Sequence, residues 1–315
     1  MSAPATAGVG RRYCLVSPCR NEVKYVRTTL DTVIAQSVRP ARWVIVDDGS
    51  TDGTSAILED YARRHPWISV IRREDRGRRV LGSGVIEAFD EGWSSVDQTA
   101  FDYVAKLDMD LRLPPRYFEL LMCRMEEQPR LGTASGKAWF SSARGPVSEK
   151  LGDENSAGMT KFYRVECLRD IGGFVPALMW DGIDGHRCRM RGWIAASWND
   201  PELRFEHLRP MGTSDRSWWI GRVRHGTGQH FMGTGVVYLL VSALYRATRP
   251  PRVLGGVAIF WGYWRGVLRR APRYPDMEFR RFLRRYQRMC LLHGKAAATD
   301  RVQRERATMW ASRWT

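Results

Sequence analysis

The sequence lacks paired cysteines and membrane-length apolar runs, and each absence argues against a class of protein. Its 6 cysteines lie scattered along 315 residues without C-x-x-C spacing, which disfavours a disulfide framework or a cysteine zinc site. The apolar stretches at residues 231–245 and 253–264 are shorter than the roughly 20 residues that a membrane-spanning helix needs. We therefore expect reduced, mostly buried thiols and no transmembrane segment.

Targeting and nucleic-acid-binding signals are missing as well. Residues 1–12 contain no apolar core of a secretory signal peptide, so we expect a protein that acts in the cytoplasm. No helix-turn-helix, zinc-finger or RNP pattern is present, so nucleic acid is not an expected partner.

Positive charge is what the sequence has in excess. Its 50 Lys and Arg residues outnumber 34 Asp and Glu residues, which gives a formal charge of +16. Such an excess favours anionic partners, such as phosphorylated substrates or an anionic membrane surface. An arginine-rich surface on an ordinary soluble domain would give the same composition, so the charge leaves both interpretations open.

Apolar runs alternate with helix-spaced segments along the first third of the chain. This alternation is typical of βαβ units in a parallel sheet flanked by helices, which is an α/β fold. The predicted strands are residues 13–17, 42–46, 68–71 and 103–107, and the predicted helices are 25–36, 54–64 and 84–93. The predicted organisation is a flexible N-terminus at 1–12, a main domain at 13–225 and C-terminal helices at 226–315.

Carboxylates follow two of the predicted strands at the point where each strand ends. Asp47 and Asp48 end the second strand, while Asp108 and Asp110 follow the fourth. Ligands of open parallel sheets bind at the carboxyl ends of the strands, so these carboxylates indicate one site. One of the first pair would accept a hydrogen bond from a nucleobase while the other braces the turn. The second pair would hold a hard cation that also binds phosphates, although each motif alone is also consistent with an ordinary turn.

Three further candidates lie in the second half of the chain. Asp181 and Asp184 precede a predicted helix, where a carboxylate serves either as a helix cap or as a general base for an acceptor hydroxyl. His207 follows a predicted strand and is either a structural residue or a nitrogen ligand of the acidic metal site.

Together these segments resemble the family-2 glycosyltransferases of the GT-A fold. The resemblance implies a mixed sheet flanked by helices, a nucleotide-diphosphate sugar donor, a divalent metal (Mg2+ or Mn2+) and an inverting single displacement. The order and spacing of five matching pieces cover roughly residues 13–210, and finding all five by accident is improbable. The matching pieces are Ser17–Glu22, Val46–Thr54, Lys106–Asp110, Ile171–Phe174, and Asp181 with Arg187 and Gly192.

The resemblance also implies roles for individual residues. Asp110 would bind the metal, Asp108 would contact the ribose or the metal, and His207 would be a third ligand. Asp181 would be the catalytic base, but Trp180 stands where the family usually has Glu, which leaves Asp184 as an alternative. The arginines of residues 76–84 would either contact the diphosphate or form a solvated loop. The donor-binding set would be Pro18, Arg20, Glu22, Asp47, Asp48, Lys106 and Asp108.

The C-terminal region is similar to that of bacterial glycosyltransferases that assemble glycans on a lipid carrier. Residues 209–213 and the two apolar stretches carry this similarity, and aromatic residues beside an arginine cluster at 265–273 suit a helical hairpin at an anionic interface. A hairpin buried in the protein is the alternative. We expect a peripheral protein on the inner face of the cell membrane, with a polyprenyl-diphosphate-linked or glycan acceptor.

Other functions remain as alternatives. A transferase that loads a sugar onto polyprenyl phosphate would share the donor site but need no base for a sugar hydroxyl. A basic membrane-binding module without catalysis would not depend on Asp108 or Asp110. A nucleotidyltransferase is disfavoured because Ser17–Glu22 replaces the usual Gly-rich loop. The absence of a Gln-x-x-Arg-Trp motif favours transfer of one sugar over polymerisation.

Overall fold

The computed structural model describes residues 10–77, 82–209, 217–248 and 252–314. Most of the predicted N-terminal segment and parts of the segments at 76–84 and 209–213 lie outside these described residues. The chain forms two compact units, one of Met1–Ala177 with Trp193–Arg209 and one of Leu178–Gly192 with Pro210–Thr315. The domain boundary predicted at residue 225 stays a prediction.

The first unit contains two sheets and the helices that flank them. The strands are β1 (Tyr13–Cys19), β2 (Arg42–Asp47), β3 (Ile68–Arg72), β4 (Tyr103–Leu107), β5 (Leu111–Arg112), β6 (Leu131–Gly136), β7 (Ala138–Ser142), β8 (Gly145–Ser148), β9 (Thr160–Arg164), β10 (Ile194–Trp198) and β11 (Phe205–His207). The helices are α1 (Val26–Ile34), α2 (Thr54–Arg64), α3 (Ser83–Ser94), α4 (Tyr117–Glu127) and α5 (Val165–Asp170).

The large sheet is mixed, as predicted for this fold class. Its seven strands run in the order β10-β6-β9-β4-β1-β2-β3. Strand β9 pairs antiparallel with β4 and β6, while β1 pairs parallel with both β2 and β4. The carboxyl ends of β1, β2 and β4 therefore lie side by side at one edge of the sheet.

The core explains why polar groups gather at that edge. Leu15 and Val16 are adjacent in β1 and point to opposite faces of the sheet, yet both are fully buried. Phe162 packs between Tyr13 and Tyr103, with ring centroids 5.7 and 5.2 Å away. Because both faces of the central strands are covered, a ligand reaches the sheet only where the strands end. All 6 cysteines are free thiols, as the sequence predicts.

A smaller sheet extends this edge. It has four strands in the order β5-β11-β7-β8, which come from widely separated parts of the chain. Strand β11 pairs antiparallel with β5, and His207 lies opposite Leu111. The Thr29 hydroxyl in α1 donates to the Leu111 carbonyl at 2.9 Å and accepts from the Leu111 N–H at 3.0 Å, which fixes β5 against the first unit's core.

The second unit consists of helices. The predicted hairpin corresponds to α8 (Val236–Ala247) and α9 (Leu254–Leu268), which pack against each other, while Phe231 belongs to the preceding helix, α7 (Trp218–Met232). The C-terminal tail forms three helices, because Gly294, with φ of +80°, ends α10 (Met277–His293) before α11 (Lys295–Glu305) and α12 (Ala307–Trp314) follow. Among the described residues, no helix combines the length and apolar character that a bilayer crossing requires. The helices are α6 (Trp180–Arg191), α7 (Trp218–Met232), α8 (Val236–Ala247), α9 (Leu254–Leu268), α10 (Met277–His293), α11 (Lys295–Glu305) and α12 (Ala307–Trp314).

Candidate active site

The loops that follow β1 and β2 are tied together by side-chain hydrogen bonds. Asn21 has a φ of +53°, a left-handed conformation that Asn tolerates, and it turns the chain sharply after β1. Its side-chain oxygen accepts from the Thr51 N–H at 2.8 Å, and its own N–H donates to the Ser50 hydroxyl at 3.0 Å. The Glu22 N–H donates to the Thr54 hydroxyl at 2.9 Å. These contacts build a rigid rim around the ends of the two strands.

Asp47 and Asp48 have separate tasks. Asp47 is buried; one of its oxygens accepts from the Ser50 N–H at 3.0 Å and the other accepts from the Ser55 hydroxyl. It is therefore the member of the pair that braces the turn. Asp48 faces guanidinium groups: the Arg73 nitrogen Nη1 is 3.0 Å from Oδ1, and Arg76 Nη2 is 2.8 Å from both oxygens. Asp48 is the donor-binding candidate of the two.

The predicted donor residues from β1 lie next to Asp48. Arg20 is buried, donates to the Asp48 carbonyl and pairs with Asp75 at 2.6 Å. Pro18 is half-buried within β1, opposite Val46 of β2. A carboxylate and several guanidinium groups thus surround the space beyond the ends of β1 and β2, which suits a nucleoside with an attached phosphate.

Lys106 and Asp108 form a pair at the end of β4. Lys106 is buried, and its ammonium group donates to the Asp108 carboxylate and to the Gly158 carbonyl at 3.1 Å. The Asp108 side chain is 34% exposed, so it stays accessible to a ligand. The pairing also neutralises a carboxylate beside the buried Asp110.

Asp110 lies in a chain of charged side chains that the two sheets bring together. Arg209 Nη2 is 2.7 Å from Asp110 Oδ2 and 2.9 Å from Glu22 Oε1. His207 Nε2 is 3.6 Å from Asp110 Oδ2, and His207 Nδ1 is 3.1 Å from both Glu149 oxygens. The Leu208 N–H donates to the Asp110 carbonyl at 2.9 Å, which keeps β11 next to Asp110. Residues that follow β1, β4 and β8 thereby meet His207 of β11 and the adjoining Arg209 at one place.

Electrostatics tune both titratable members of this cluster. Burial alone would raise the pKa of Asp110, but its hydrogen bond with His207 and the charges of His207 and Arg209 hold that pKa below its usual value. Burial alone would lower the pKa of His207, but Asp110 and Glu149 outweigh it and raise the pKa to about 9. The His207 imidazole is therefore protonated near neutral pH. A histidine that binds a metal must instead be neutral.

The residues at this edge fit a divalent cation in part. Carboxylate oxygens with one imidazole nitrogen form a donor set that Mn2+ accepts, and Asp110 and His207 are already neighbours. The Arg209 guanidinium supplies positive charge between Asp110 and Glu22 in this structure. Across the described parts of the chain, no three His, Cys, Asp or Glu side chains are arranged as a complete metal site. Asp108 is held by Lys106 instead of joining Asp110.

The two candidate bases lie in α6 of the second unit. Asp181 occupies the first turn of α6 and is exposed, whereas Asp184 is buried and its Oδ1 accepts from the Gly185 N–H at 2.6 Å. Met179, directly before the helix, adopts a left-handed conformation with a φ of +66°, which is strained for this side chain. An exposed carboxylate after a strained turn is better placed to meet a substrate than a buried one.

Three residues of the candidate site are not among the site residues predicted from the sequence. Arg73 and Glu149 carry no motif, and the β7–β8 hairpin alone brings Glu149 to His207. Arg209 lies in a segment that suggests a lipid-carrier enzyme, but nothing in its sequence context indicates a partner 99 residues away. Arg76 makes an ion pair with Asp48 and another, at 2.9 Å, with Glu87. It is therefore not a freely solvated residue.

Comparison with known sequences identifies the first part of the chain. Residues 14–148 match the profile of Glycosyl transferase family 2. The chain is 27% identical over 118 residues to poly-beta-1,6-N-acetyl-D-glucosamine synthase of Staphylococcus epidermidis and 26% identical to the Staphylococcus aureus protein of that name. These matches cover 38% of this chain and only 26% of either relative, so the chain spans about a quarter of their length.

Solved structures show the same fold over most of the chain. The mannosyltransferase PcManGT of Pyrobaculum calidifontis, in complex with GDP-Man and Mn2+, has a TM-score of 0.50 at 18% identity, covering 95% of this chain and 87% of that one. S. aureus TarS 1–349 in complex with UDP-GlcNAc has a TM-score of 0.51 at 15% identity, covering 96% of this chain and 91% of that one. GalNAc-T7 with UDP, GalNAc and Mn2+ has a TM-score of 0.55 at 15% identity, covering 86% of this chain and 53% of that one.

Fold and family agree. The mixed seven-stranded sheet carries the acidic clusters at strand ends, and the family match spans β1 to β8 with Glu22, Asp48 and Asp110 inside it. Residues 14–148 of this chain thus match the model of Glycosyl transferase family 2, and the fold that carries them is GT-A.

Proposed function

We propose that this chain is a glycosyltransferase that moves one sugar from a nucleotide-diphosphate donor to an acceptor. The observation that carries the proposal is that Glu22, Asp48 and Asp110 follow the neighbouring parallel strands β1, β2 and β4 at the same edge of the sheet. Burial and ion pairs hold each of these carboxylates in place, with Arg209 joining Glu22 to Asp110 and Arg20 joining the Asp48 backbone to β1. Such pre-organisation costs stability, which argues for a ligand.

The donor side is best explained by a nucleoside diphosphate. Asp48 would accept a hydrogen bond from the base, and Arg73 and Arg76, which now neutralise it, would become available to the diphosphate. Similar structures hold UDP-GlcNAc or GDP-Man, so uridine and guanosine nucleotides are the first to test.

A divalent metal, Mg2+ or Mn2+, would bind at Asp110 and His207, with Asp108 joining them. Bound there, it would neutralise the charge that develops on the departing nucleoside diphosphate. The Arg209 guanidinium would have to leave Asp110, and the His207 imidazole would have to lose its proton, before these side chains become ligands.

The transfer itself needs a base when the acceptor is a sugar hydroxyl. We assign this role to Asp181, whose exposed carboxylate would take the hydroxyl proton as the oxygen attacks the anomeric carbon. A new glycosidic C–O bond forms, the bond from the anomeric carbon to the diphosphate breaks, and the configuration inverts. Asp184, which is buried, is the alternative base.

The acceptor is proposed to be a glycan on a polyprenyl-diphosphate carrier, or a polysaccharide, met at the inner face of the cell membrane. Helix α8 exposes Val237, Leu240, Val241 and Leu244 along one side, and 69% of the Leu244 side chain surface meets solvent. Soluble monomers rarely leave such a stripe uncovered, and an interfacial helix with neighbouring arginines needs one. Both features support a peripheral membrane enzyme.

Thermal denaturation with nucleotides tests the donor site. We expect UDP or GDP to raise the melting temperature of the purified chain in Mn2+, and to have little effect in EDTA. Asp110→Asn should abolish the metal-dependent part of the shift, because it removes charge from the proposed ligand. Asp60→Asn, on α2 with a side chain that is 42% exposed, should behave as the wild type. No nucleotide-dependent shift under any condition would contradict the proposal.

A second candidate function is transfer of the sugar onto polyprenyl phosphate. The arginine-rich helices α7 to α9 favour it, because guanidinium groups bind phosphate. Such a reaction needs no general base, because the attacking phosphate oxygen is already deprotonated. Asp181→Asn discriminates between the two functions. It should reduce transfer to a sugar hydroxyl by about 10²–10⁴-fold but leave transfer to a lipid phosphate intact.

A further inference from the structure

One region of the second unit has an unusual charge composition. Residues 216–275 contain no Asp, Glu or Lys, so arginine supplies every formal charge there. Any carboxylate that competes with anions for these arginines must therefore come from outside the segment. The arginines are Arg216, Arg222, Arg224, Arg246, Arg249, Arg252, Arg265, Arg269, Arg270 and Arg273.

Helices α7 and α9 approach each other within this region until their backbones touch. A Cβ atom added to Gly226 would lie 1.9 Å from the Ile259 carbonyl oxygen, and one added to Gly262 would lie 2.0 Å from the Val223 carbonyl oxygen. The Thr227 hydroxyl bridges the pair, 3.1 Å from the Val223 carbonyl and 3.3 Å from the Gly262 carbonyl. With no side chains between the axes, the larger residues on either side form the walls of a cleft.

That cleft has a volume of about 410 Å³ and an amphipathic lining. Trp219, Val223, Arg224 and Thr227 come from one side of α7, at intervals of a helical turn, and Trp261 and Arg265 come from α9. Two guanidinium groups and a hydroxyl thus share one concave site with two indole rings, and no carboxylate lines it.

This combination fits a phosphate attached to an apolar chain. Guanidinium groups bind phosphate through paired, charge-assisted hydrogen bonds, while indole rings pack against hydrocarbon beside polar groups. Val257 and Leu254 precede Trp261 by about one and two turns of α9 and are also exposed. An apolar chain leaving the cleft would therefore meet a continuous apolar track.

We propose that the α7–α9 cleft binds the phosphate end of a long-chain lipid phosphate, with Arg224 and Arg265 on the phosphate and Trp261 on the first carbons of the chain. This inference rests on the proposed function, because the lipid would be the acceptor or its carrier. It assigns lipid recognition to side chains other than those of the donor site.

Direct binding tests the assignment. The full chain in neutral detergent micelles would be titrated with a fluorescent long-chain alkyl phosphate, and separately with the alcohol of the same chain. We expect the phosphate to bind at least about tenfold more tightly than the alcohol, and R224Q/R265Q to lose most of that preference. W261A should weaken both probes, because both carry the chain.

A matched pair of substitutions separates this site from diffuse charge. Arg252 and Arg269 are exposed and lie outside the cleft, so R252Q/R269Q removes the same charge and should change the affinity less than about threefold. Equal losses in both double variants, or equal binding of phosphate and alcohol, would overturn the assignment. The second measurement on the same samples is the Mn2+-dependent shift in melting temperature caused by a nucleotide. If this shift persists while the lipid phosphate fails to bind, only this inference fails. If the shift is absent as well, the proposed function fails too.

Discussion

Neighbouring carboxylates in this chain differ by what surrounds them. Asp47 accepts hydrogen bonds from Ser50 and Ser55, whereas Asp48 accepts from Arg73 and Arg76. A hydroxyl or an N–H within the turn is a fixed structural partner, but a long arginine side chain can move to another anion. The residue whose partners can leave is the one suited to bind a substrate.

The same reasoning separates Asp181 from Asp184. We expect Asp181→Asn to reduce transfer to a hydroxyl acceptor by about 10²–10⁴-fold without weakening nucleotide binding, because a general base acts only in the chemical step. Asp184→Asn should chiefly lower the free energy of unfolding, by about 1–3 kcal/mol, because it disturbs a buried hydrogen-bonded group. Steady-state kinetics and urea unfolding of both variants check this. The reverse pattern would make Asp184 the base.

His225 predicts a pH dependence of stability. Burial lowers its pKa to about 4, with further lowering by Arg246 and Arg222, and Gln229 lies 3.0 Å from its Nε2. A histidine with a lower pKa in the folded state than in the unfolded state is protonated preferentially on unfolding. Its stabilising contribution is therefore complete above pH 6.5 and is lost as the pH falls toward 4.

The wild type should lose on the order of 2 kcal/mol more unfolding free energy than His225→Gln between pH 7 and pH 4. Urea unfolding of both proteins across this range measures the difference. Parallel curves for the two proteins would mean that His225 titrates normally.

At the scale of elements, glycine decides how the helices of the second unit pack. Gly226 and Gly262 face the backbone of the opposing helix at distances that no Cβ can occupy. Gly226→Ala or Gly262→Ala should lower stability by at least about 1–3 kcal/mol, because α7 and α9 must separate. Gly182→Ala is the control: in α6 its nearest atom would be 3.5 Å away, so the gain in helix propensity should leave stability equal or higher.

Denaturant midpoints of the three variants check this packing prediction. A Gly226→Ala protein as stable as the wild type would show that the two helices are not held at the observed separation. The cleft between them would then lose its structural basis as well.

Elements also show what a sequence can and cannot reveal. The strands at 13–17, 42–46, 68–71 and 103–107 and the helix at 54–64 are confirmed, because buried apolar runs and helical periodicity are local signals. Helix α2 begins after Gly53, and the Asp52 carboxylate accepts from the Thr54 N–H of its first residue at 3.0 Å. The two-residue β5 is too short for any pattern, yet it places Asp110 opposite β11.

At the scale of the whole molecule, charge and apolar exposure coincide in one stretch of the chain. The +16 charge is not spread evenly, since residues 216–275 carry arginine and no carboxylate. The exposed apolar side chains of α8 and α9 belong to the same segment. Anionic bilayers attract such a surface by both mechanisms at once.

Binding to vesicles tests this surface. Leu240→Gln/Leu244→Gln should weaken association with anionic vesicles severalfold while leaving the melting temperature unchanged, because both side chains are exposed. Leu292→Gln, in α10, removes a leucine that is 76% exposed outside this segment and should have no effect. Co-sedimentation with anionic and neutral vesicles measures the difference. Equal weakening by all the substitutions would count against a membrane-facing α8.

The amino-acid sequence by itself determined the strands, the carboxylates at their ends and the resemblance to glycosyl transferase family 2, because these depend on local periodicity and on residues close together in the chain. Only the tertiary structure decided which carboxylate braces a turn, that Arg209 and the His207–Glu149 pair join Asp110, and that two glycines open a cleft between α7 and α9. The contacts of Arg209, of His207 with Glu149 and of the two glycines join residues 33 to 187 positions apart. They depend on strand pairing and helix packing, which no local pattern specifies.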